Sequence, residues 1–554
     1  MLADDRYDRP VTAATALGPI PASHKRLTLA AAILGSGVAW LDATVVNVAL
    51  PAIANDLGGG LSSQQWVSNA YLLTLGSLIL IGGSLGDLFG ERRVFAIGVG
   101  GFGAVSVLCA VAPTVEVLIA GRALQGVFGA LLTPTALAVI VSTFSGEERA
   151  AAIGSWTAWG GIAGIVGPLV GGWLIDFASW RWIFAINVPL VLVTLVIIMI
   201  AVPSVPGRPD TRVDWGGAVL CALGLAGPVF ALIREPSVGW GDPQVVLPGI
   251  AGLGVFALFL LYETRTPSPM LDLSLFRRRN FAIGNLETFS MYAGLAILFF
   301  FLAIFLQQVG GYSPLEAGLA MVPATLVMIA LSRRMGRLAD RHGPRLFMGA
   351  GPLIAAFGLL LLVMRVDANV DYVTDLLPGL LLFSLGLSIT VAPLTATVLA
   401  DADEHNAGLA SGINNAIARV AGLIGVAALG AVVAAQFSSS IQSRLDTAHL
   451  SPRAEAAVTA AKRRTLARID AHGLPPAERA RLQRASEGAS VSAFRTGMGI
   501  AAVLVGLGGV IGSVGITNRR RRVAAEQCAG GQLAGAPVDA ARPRAHAAPQ
   551  PAPT

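Results

Sequence analysis

Long apolar runs separated by short polar turns dominate this chain of 554 residues. A helix needs about 20 apolar residues to cross the hydrocarbon core of a bilayer. Hydrophobic residues make up 54% of the chain and charged residues only 13%, which excludes a water-soluble fold. We therefore predict an all-α polytopic membrane protein with fourteen spans, over residues 27–50, 66–86, 94–113, 117–140, 150–173, 182–203, 214–233, 245–263, 281–308, 313–332, 346–364, 373–399, 407–436 and 492–516.

Two of the polar turns between these runs are near copies of each other. The first joins spans 2 and 3, and the second joins spans 10 and 11. A turn repeated at the same place in two parts of an apolar chain predicts an internally duplicated membrane transporter. Pro344 stands in the second copy where Glu91 stands in the first, so the copies are imperfect. The matching positions are Gly83, Asp87, Gly90 and Arg92 (followed by Arg93) in the first copy and Gly336, Asp340, Gly343 and Arg345 in the second.

The position of the repeat predicts the domain organisation. If each half begins with equivalent spans, spans 1–6 and 9–14 form two six-helix bundles, and spans 7 and 8 are an inserted pair. The predicted segments are 1–26 (N-terminal segment), 27–203 (first bundle), 204–265 (inserted pair), 266–518 (second bundle, with a long extracellular loop at 437–490) and 519–554 (a basic and then disordered tail).

Basic residues predict the orientation. Most arginines of the short loops lie on the side that carries both copied turns, which places this side and both termini in the cytoplasm. The segment 437–490 does not fit this rule. The number of spans before it places it outside the cell, yet it carries nine Lys and Arg residues. Long loops translocate largely regardless of charge, so we keep the parity. Within this segment, residues 451–488 are expected to form two short amphipathic helices around a break at Pro475 and Pro476.

Two charged residues lie inside apolar spans. Asp42 is near the middle of span 1, where an ionised carboxylate costs at least a few kcal/mol, so it is a candidate proton and cation site. Arg122 in span 4 shares one helix face with Gln125, Gly126 and Gly129, and it needs a partner or water. The alternatives are a purely structural carboxylate paired with an arginine, and an arginine held by backbone carbonyls.

Span 5 carries a glycine pattern. A stripe of glycines along one face allows another helix to approach closely, and Gly-Pro allows a kink. Ordinary small-residue packing is the alternative explanation. The residues are Gly160, Gly164, Gly167, Pro168, Gly171 and Gly172.

With these motifs in order, the chain resembles the fourteen-span drug/proton antiporter branch of the major facilitator superfamily over roughly residues 27–520. The resemblance implies that Asp42 and Arg122 take part in proton coupling. It also implies that the copied turns act as gate latches in the outward-facing state. The glycine pattern of span 5 marks exporters in this family. Plain turn caps with orientation charges are the alternative for the turns.

Four further polar residues are candidates for a substrate or proton site: Glu287, Arg419, Asn47 and Gln125. Glu287 lies one to two turns into span 9, and it could bind a proton or a cationic substrate, or instead be an edge residue that faces water. Arg419 lies in the middle of span 13, where a structural or gating charge is favoured over a substrate ligand.

The predicted function is export of hydrophobic or cationic drugs or antibiotics across the plasma membrane, by alternating access and in exchange for protons. No phosphate-binding Gly-x4-Gly-Lys-Ser/Thr motif or metal cluster is present, so we expect no cofactor, no enzyme activity and no nucleic-acid partner. The expected partners are the substrate, protons and the lipid bilayer, and the expected state is monomeric. A dedicated exporter of one endogenous metabolite, such as a self-made antibiotic, siderophore or lipid, and a non-transporting receptor remain alternatives.

Overall fold

The computed structural model describes residues 21–209, 211–400, 407–445, 450–463, 466 and 473–518. Helices dominate these residues, and no β-strand occurs among them. Residues 1–20 of the predicted N-terminal segment and the predicted tail at 519–554 lie outside the described ranges. The N-terminal helices are α1 (Ala22–Leu57), α2 (Leu61–Phe89), α3 (Glu91–Ala110), α4 (Val115–Thr143), α5 (Gly146–Phe177), α6 (Trp182–Ala185) and α7 (Asn187–Ala201).

The rest of the described chain also consists mainly of α-helices. A five-residue 3₁₀ segment precedes α10, and a five-residue π-helical segment, Tyr372–Leu376, precedes α14. The two helices predicted as an inserted pair, called the inserted helices below, are α8 (Trp215–Val238) and α9 (Pro243–Glu263). The C-terminal helices are α10 (Arg279–Gln308), α11 (Pro314–Leu319), α12 (Val322–His342), α13 (Pro344–Arg365), α14 (Leu377–Ala400), α15 (Ala407–Leu445), α16 (Pro452–Arg463) and α17 (Pro476–Gly515).

Fourteen stretches of the described chain are long and apolar enough to cross a bilayer, and each coincides with one predicted run. α6 and α7 together make the sixth stretch, and α11 and α12 make the tenth. The predicted all-α polytopic fold is therefore confirmed. Apolar length alone sufficed for this prediction, because in lipid a backbone must satisfy its polar groups within its own helix.

The segment 437–490 is more helical than predicted. α15 continues to Leu445, and α17 begins directly after Pro475 and runs without interruption to Gly515. α16 is the one separate short helix in the described part of this segment, so the second predicted amphipathic helix is wrong as an independent element. Pro476 suits the first turn of a helix, and the Ala-, Arg- and Glu-rich sequence after it has no residue that would stop the helix before the span.

The two copied turns have the same backbone geometry. Gly90 and Gly343 each have φ of 91°, a conformation that favours glycine, and each turn lets one helix end and the next begin directly. We call the side of the bundle that carries these two turns the turn face, and the opposite side the far face. Asp87 and Asp340 lie in the last turns of α2 and α12, and neither caps the following helix.

The inserted helices pack against each other and against both parts of the bundle. Gly224 of α8 lies against the backbone of Phe256 in α9, where a Cβ would come within 2.8 Å. Val229 and Ile233 of α8 form a buried cluster with Leu423 and Ala427 of α15, with Trp66 and Leu72 of α2 packed around it. α8 therefore covers the seam where α2 of the N-terminal helices meets α15 of the C-terminal helices.

Candidate functional site

Asp42 and Arg122 form an ion pair inside the N-terminal helices. Nη1 of Arg122 lies 2.5 Å from Oδ2 of Asp42, and both side chains are 1% exposed. Asp42 comes from the middle of α1 and Arg122 from α4, two helices that the chain brings together from 80 residues apart. A charge-assisted hydrogen bond offsets part of the large cost of removing both charges from water.

Polar side chains from neighbouring helices surround this pair. Nε of Arg122 donates to the carbonyl oxygen of Val67 in α2 at 3.1 Å, and Nη1 also donates to Oε1 of Gln125 at 2.8 Å. Gln125 in turn donates to Ser106 Oγ of α3 at 2.9 Å, and Asn187 of α7 donates to the same hydroxyl at 3.3 Å. The network therefore joins α1, α2, α3, α4 and α7 around one carboxylate.

Aromatic rings cover the guanidinium group of Arg122. Its Cζ lies 4.4 Å from the ring centroid of Tyr71 and 5.8 Å from that of Phe184. These distances suit cation–π attraction, which gains strength where water is excluded. Gly126 makes the arrangement possible, because a Cβ at this position would overlap the side chain of Thr74 and the carbonyl oxygen of Tyr71. α4 therefore approaches α2 closely at the level of the ion pair.

The ion pair as a whole carries no net charge. Asp42 is the carboxylate of the pair, and a proton on it would remove the charge that faces Arg122. The guanidinium group keeps its own proton under all physiological conditions, so the local charge changes by one unit. A neutral pair would then become an uncompensated buried cation, which is a strong driving force for rearrangement.

The glycine stripe of α5 lies against α1 beside Asp42. A Cβ at Gly160 would come within 2.8 Å of the ring of Trp40, and one at Gly171 within 2.9 Å of Val45. Gly167 packs on Thr44 in the same way. Gly164 departs from the predicted stripe, because a Cβ there would meet no atom within 4 Å.

The far face is closed by contacts between the N-terminal and C-terminal helices. Gly172 of α5 packs on α11, where its Cβ would lie 2.5 Å from Cα of Leu315. The amide of Leu315 donates to Oδ2 of Asp176 at 3.0 Å, and Gln307 of α10 donates to the carbonyl oxygen of Val48 in α1 at 2.9 Å. These contacts involve backbone atoms, so they depend on small residues and close approach.

A tyrosine hydroxyl secures the loop that leads into α11. Tyr312 donates to the carbonyl oxygen of Val370 at 3.4 Å. Burial, with a smaller contribution from the nearby carboxylate of Asp371, raises the pKa of Tyr312. The hydroxyl therefore keeps its proton and remains a donor at neutral and mildly alkaline pH.

We expect Gly172→Ala to weaken the closure of the far face, because the new methyl group would collide with the backbone of α11. Such overpacking should destabilise the conformation with a closed far face by about 1–3 kcal/mol. Spin labels on the exposed residues Val111 and Val373, at the far-face ends of α3 and α14, should then report a larger share of long distances. The control is Gly164→Ala on the same helix, where the methyl group enters open space. Equal distance distributions for the two variants would contradict the expectation.

The turn-face arginines bind carbonyl groups rather than the aspartates of their own motif. Arg92 donates to the carbonyl oxygen of Met199 at 2.8 Å, and Nε of Arg345 donates to that of Ser513 at 2.5 Å. The side chains of Asp87 and Asp340 are exposed and form no ion pair with the described residues. In this conformation the arginines instead reach the last carbonyls of α7 and α17, which have no acceptor role within their own helices.

The other candidates fall in separate places. Glu287 is 0% exposed, and neither carboxyl oxygen has a hydrogen-bond partner among the described residues. It packs on Gly508 and Gly512 of α17, so the interpretation as a water-facing edge residue is wrong. Arg419 lies at the seam of α15 and α2. Asn47 is partly buried, and its side chain makes no hydrogen bond within the described part of the chain.

Sequence reasoning missed four members of the site: Tyr71, Ser106, Phe184 and Asn187. Ser106 and Asn187 stand out as polar residues within or beside apolar runs, which is the signal that could have identified them. Tyr71 and Phe184 carry no such signal. Within the described ranges, no group of three His, Cys, Asp or Glu residues could hold a metal ion, and Cys109 and Cys221 are buried free thiols.

Comparison with known proteins gives a consistent result. The family model described as Major Facilitator Superfamily matches residues 32–426. A probable actinorhodin transporter of Streptomyces coelicolor is 34% identical over 82% of this chain and 80% of its own length. The multidrug resistance protein Stp of Mycobacterium tuberculosis is 34% identical over 76% of this chain and 78% of its own length. A crystal structure of a bacterial homologue of the human lysosomal transporter Spinster has a TM-score of 0.60 at 16% identity, covering 89% of this chain and 98% of that one, and shows the likeness in fold.

Proposed function

This chain belongs to the major facilitator superfamily, and we propose that it is a proton-coupled antiporter that exports hydrophobic or cationic drugs or antibiotics across the plasma membrane. The sequence relatives support export, since their names describe an antibiotic transporter and a multidrug resistance protein. The buried Asp42–Arg122 pair is the observation that carries the proton coupling. It places one carboxylate within a membrane-embedded polar network.

Coupling follows from the charge change at Asp42. When Asp42 is ionised, its attraction to Arg122 holds α1 against α4. Protonation removes this attraction and leaves Arg122 without its counter-ion, so the two protonation states favour different helix arrangements. A proton that enters from outside would therefore return the emptied protein to the conformation that loads substrate.

We further propose that residues 27–203 and 266–518 are the two bodies that rock against each other, with the inserted pair at 204–265 beside the seam. The turn face would be cytoplasmic, since it carries most of the arginines of the short loops. The closed far face supports an inward-facing state, in which the copied turns do not latch. The latch role of Asp87 and Asp340 would then belong to the outward-facing state.

Transport into inverted membrane vesicles tests this function. Vesicles acidified inside by respiration should accumulate ethidium, a lipophilic cation, or an antibiotic from the medium. Nigericin, which collapses the pH gradient, should release the accumulated compound. Accumulation that persists in nigericin would contradict proton coupling.

A dedicated exporter of one endogenous metabolite is the second candidate. The name of the Streptomyces relative, which describes a transporter for a single antibiotic, favours it. Susceptibility to a panel of unrelated drugs, compared with and without the protein, separates the two. Protection against several classes identifies a broad exporter, and protection against one compound identifies a dedicated one. No uptake of any compound would favour a non-transporting receptor.

A further inference from the structure

Arg419 is an unbalanced positive charge between the N-terminal and C-terminal helices. It lies near the middle of α15, and its Nε atom is buried without a hydrogen-bond partner. Its side chain makes no ion pair with any described residue. An arginine cannot lose its proton to relieve this situation, so the charge persists in every state of the protein. Such a residue in a membrane span is a functional candidate by default.

The position of Arg419 brings it close to the Asp42–Arg122 pair. A Cβ on Gly76 of α2 would lie 3.4 Å from Cβ of Arg419, so the two helices nearly touch at this level. On the same helix, the ring of Tyr71, five residues before Gly76, lies 4.4 Å from Cζ of Arg122. α2 therefore contacts both arginines, one from each part of the bundle.

The elements around Arg419 contribute few other charges. On α10, Glu287 packs on Gly508 and Gly512 of α17. The charged residues Arg234 and Glu235 lie in the last turns of α8, towards the far face. Asp214 caps the first turn of α8 and Glu263 ends α9, both at the turn face. At the level of Arg419 itself, the balance is thus one carboxylate, Asp42, against two guanidinium groups.

We propose that Arg419 couples the charge of Asp42 to the separation of the two parts of the bundle. While Asp42 is ionised, the cluster carries one net positive charge, and the carboxylate attracts Arg419 across the seam as well as Arg122. Protonation of Asp42 raises the net charge to two, and the guanidinium groups of Arg122 and Arg419 then repel each other across α2. α15 and α2 would separate at this level, so proton binding drives a rearrangement between the two bodies. The proposal rests on the proton-coupled function above and names the residue that transmits the signal.

Distances between the two parts of the bundle at different pH values test the proposal. Spin labels would replace Val111 and Val373, with Cys528 changed to Ser and the buried Cys109 and Cys221 retained. In lipid nanodiscs, lowering the pH from 8 to 5 should change the population ratio of the two conformations by roughly fivefold or more. Arg419→Gln should reduce this change to less than about twofold, whereas Arg419→Lys, which keeps the charge, should preserve most of it.

The control is Arg444→Gln, an exposed arginine at the far-face end of the same helix, which should respond like the unmodified protein. If Arg419→Gln does not elute as a folded species, Arg419→Met, of similar length and without charge, replaces it. A full pH response in an uncharged variant overturns the proposal. This holds even if vesicle transport by that variant remains proton-driven and only its affinity for substrate is weaker. An unmodified protein without any pH response overturns it too. If the pH response depends on Arg419 but the protein shows no proton-driven transport in vesicles, the proposed function is wrong and the proposal for Arg419 stands.

Discussion

Asp42→Asn is expected to abolish proton-driven export and also to cost stability, because it leaves Arg122 buried without its counter-ion. Asparagine keeps the shape of the side chain and an oxygen that accepts a hydrogen bond from Arg122, but it carries no titratable charge. Accumulation in acidified vesicles should fall by roughly 100-fold, within the usual range of coupling between linked sites. Exchange of labelled for unlabelled substrate without a pH gradient should persist, because this reaction needs no change in protonation.

Asp56→Asn is the matched control for this experiment. Asp56 lies on the same helix and also pairs with an arginine, Arg181, but this pair is largely exposed near the far face. Exposed ion pairs contribute little, at most about 1 kcal/mol, so export should remain close to that of the unmodified protein. Undiminished proton-driven accumulation by Asp42→Asn would rule out Asp42 as the coupling residue.

Arg122→Gln is expected to cause a large loss of stability. It leaves the carboxylate of Asp42 buried without its counter-ion, and removing one partner of a buried pair costs about 3–5 kcal/mol. The measurement is the free energy of unfolding in mixed micelles. Export should be lost together with stability.

The double variant Asp42→Asn with Arg122→Gln separates the two effects. Without either charge, the site needs no ion pair, so most of the lost stability should return, to within about 2 kcal/mol of the unmodified protein. Export should stay absent, because no proton site remains. A double variant as unstable as Arg122→Gln alone would show that the guanidinium group stabilises the bundle through Val67 and Tyr71 rather than through Asp42.

The site could be predicted in part. Asp42 and Arg122 stand out because charges within apolar spans are costly, and the spacing of Gln125 from Arg122 already places both on one helix face. The hydroxyl of Ser106 and the ring of Tyr71 could not be assigned to the same site. Both belong to other helices, and which residues face each other depends on the rotation and depth of each helix.

For the turn motif, the backbone geometry could be predicted but the side-chain partners could not. Its two copies, including Gly90 and Gly343, predicted two equivalent turns, and the backbone geometry is the same in both. The partners of Arg92 and Arg345 did not follow from the motif. They bind the ends of α7 and α17, helices that begin far away in sequence and end beside the turns.

The number of spans, the helical class and the polar residues that the membrane must accommodate follow from the order of amino acids, because the cost of exposing backbone and charge to lipid is local to each segment. The pairing of Arg122 with Asp42, the burial of Glu287 against α17 and the lack of a hydrogen-bond partner for Nε of Arg419 among the described residues could be seen only in the folded protein. These outcomes depend on close packing between helices, and lipid provides little hydrophobic drive that would mark the packed faces in the sequence.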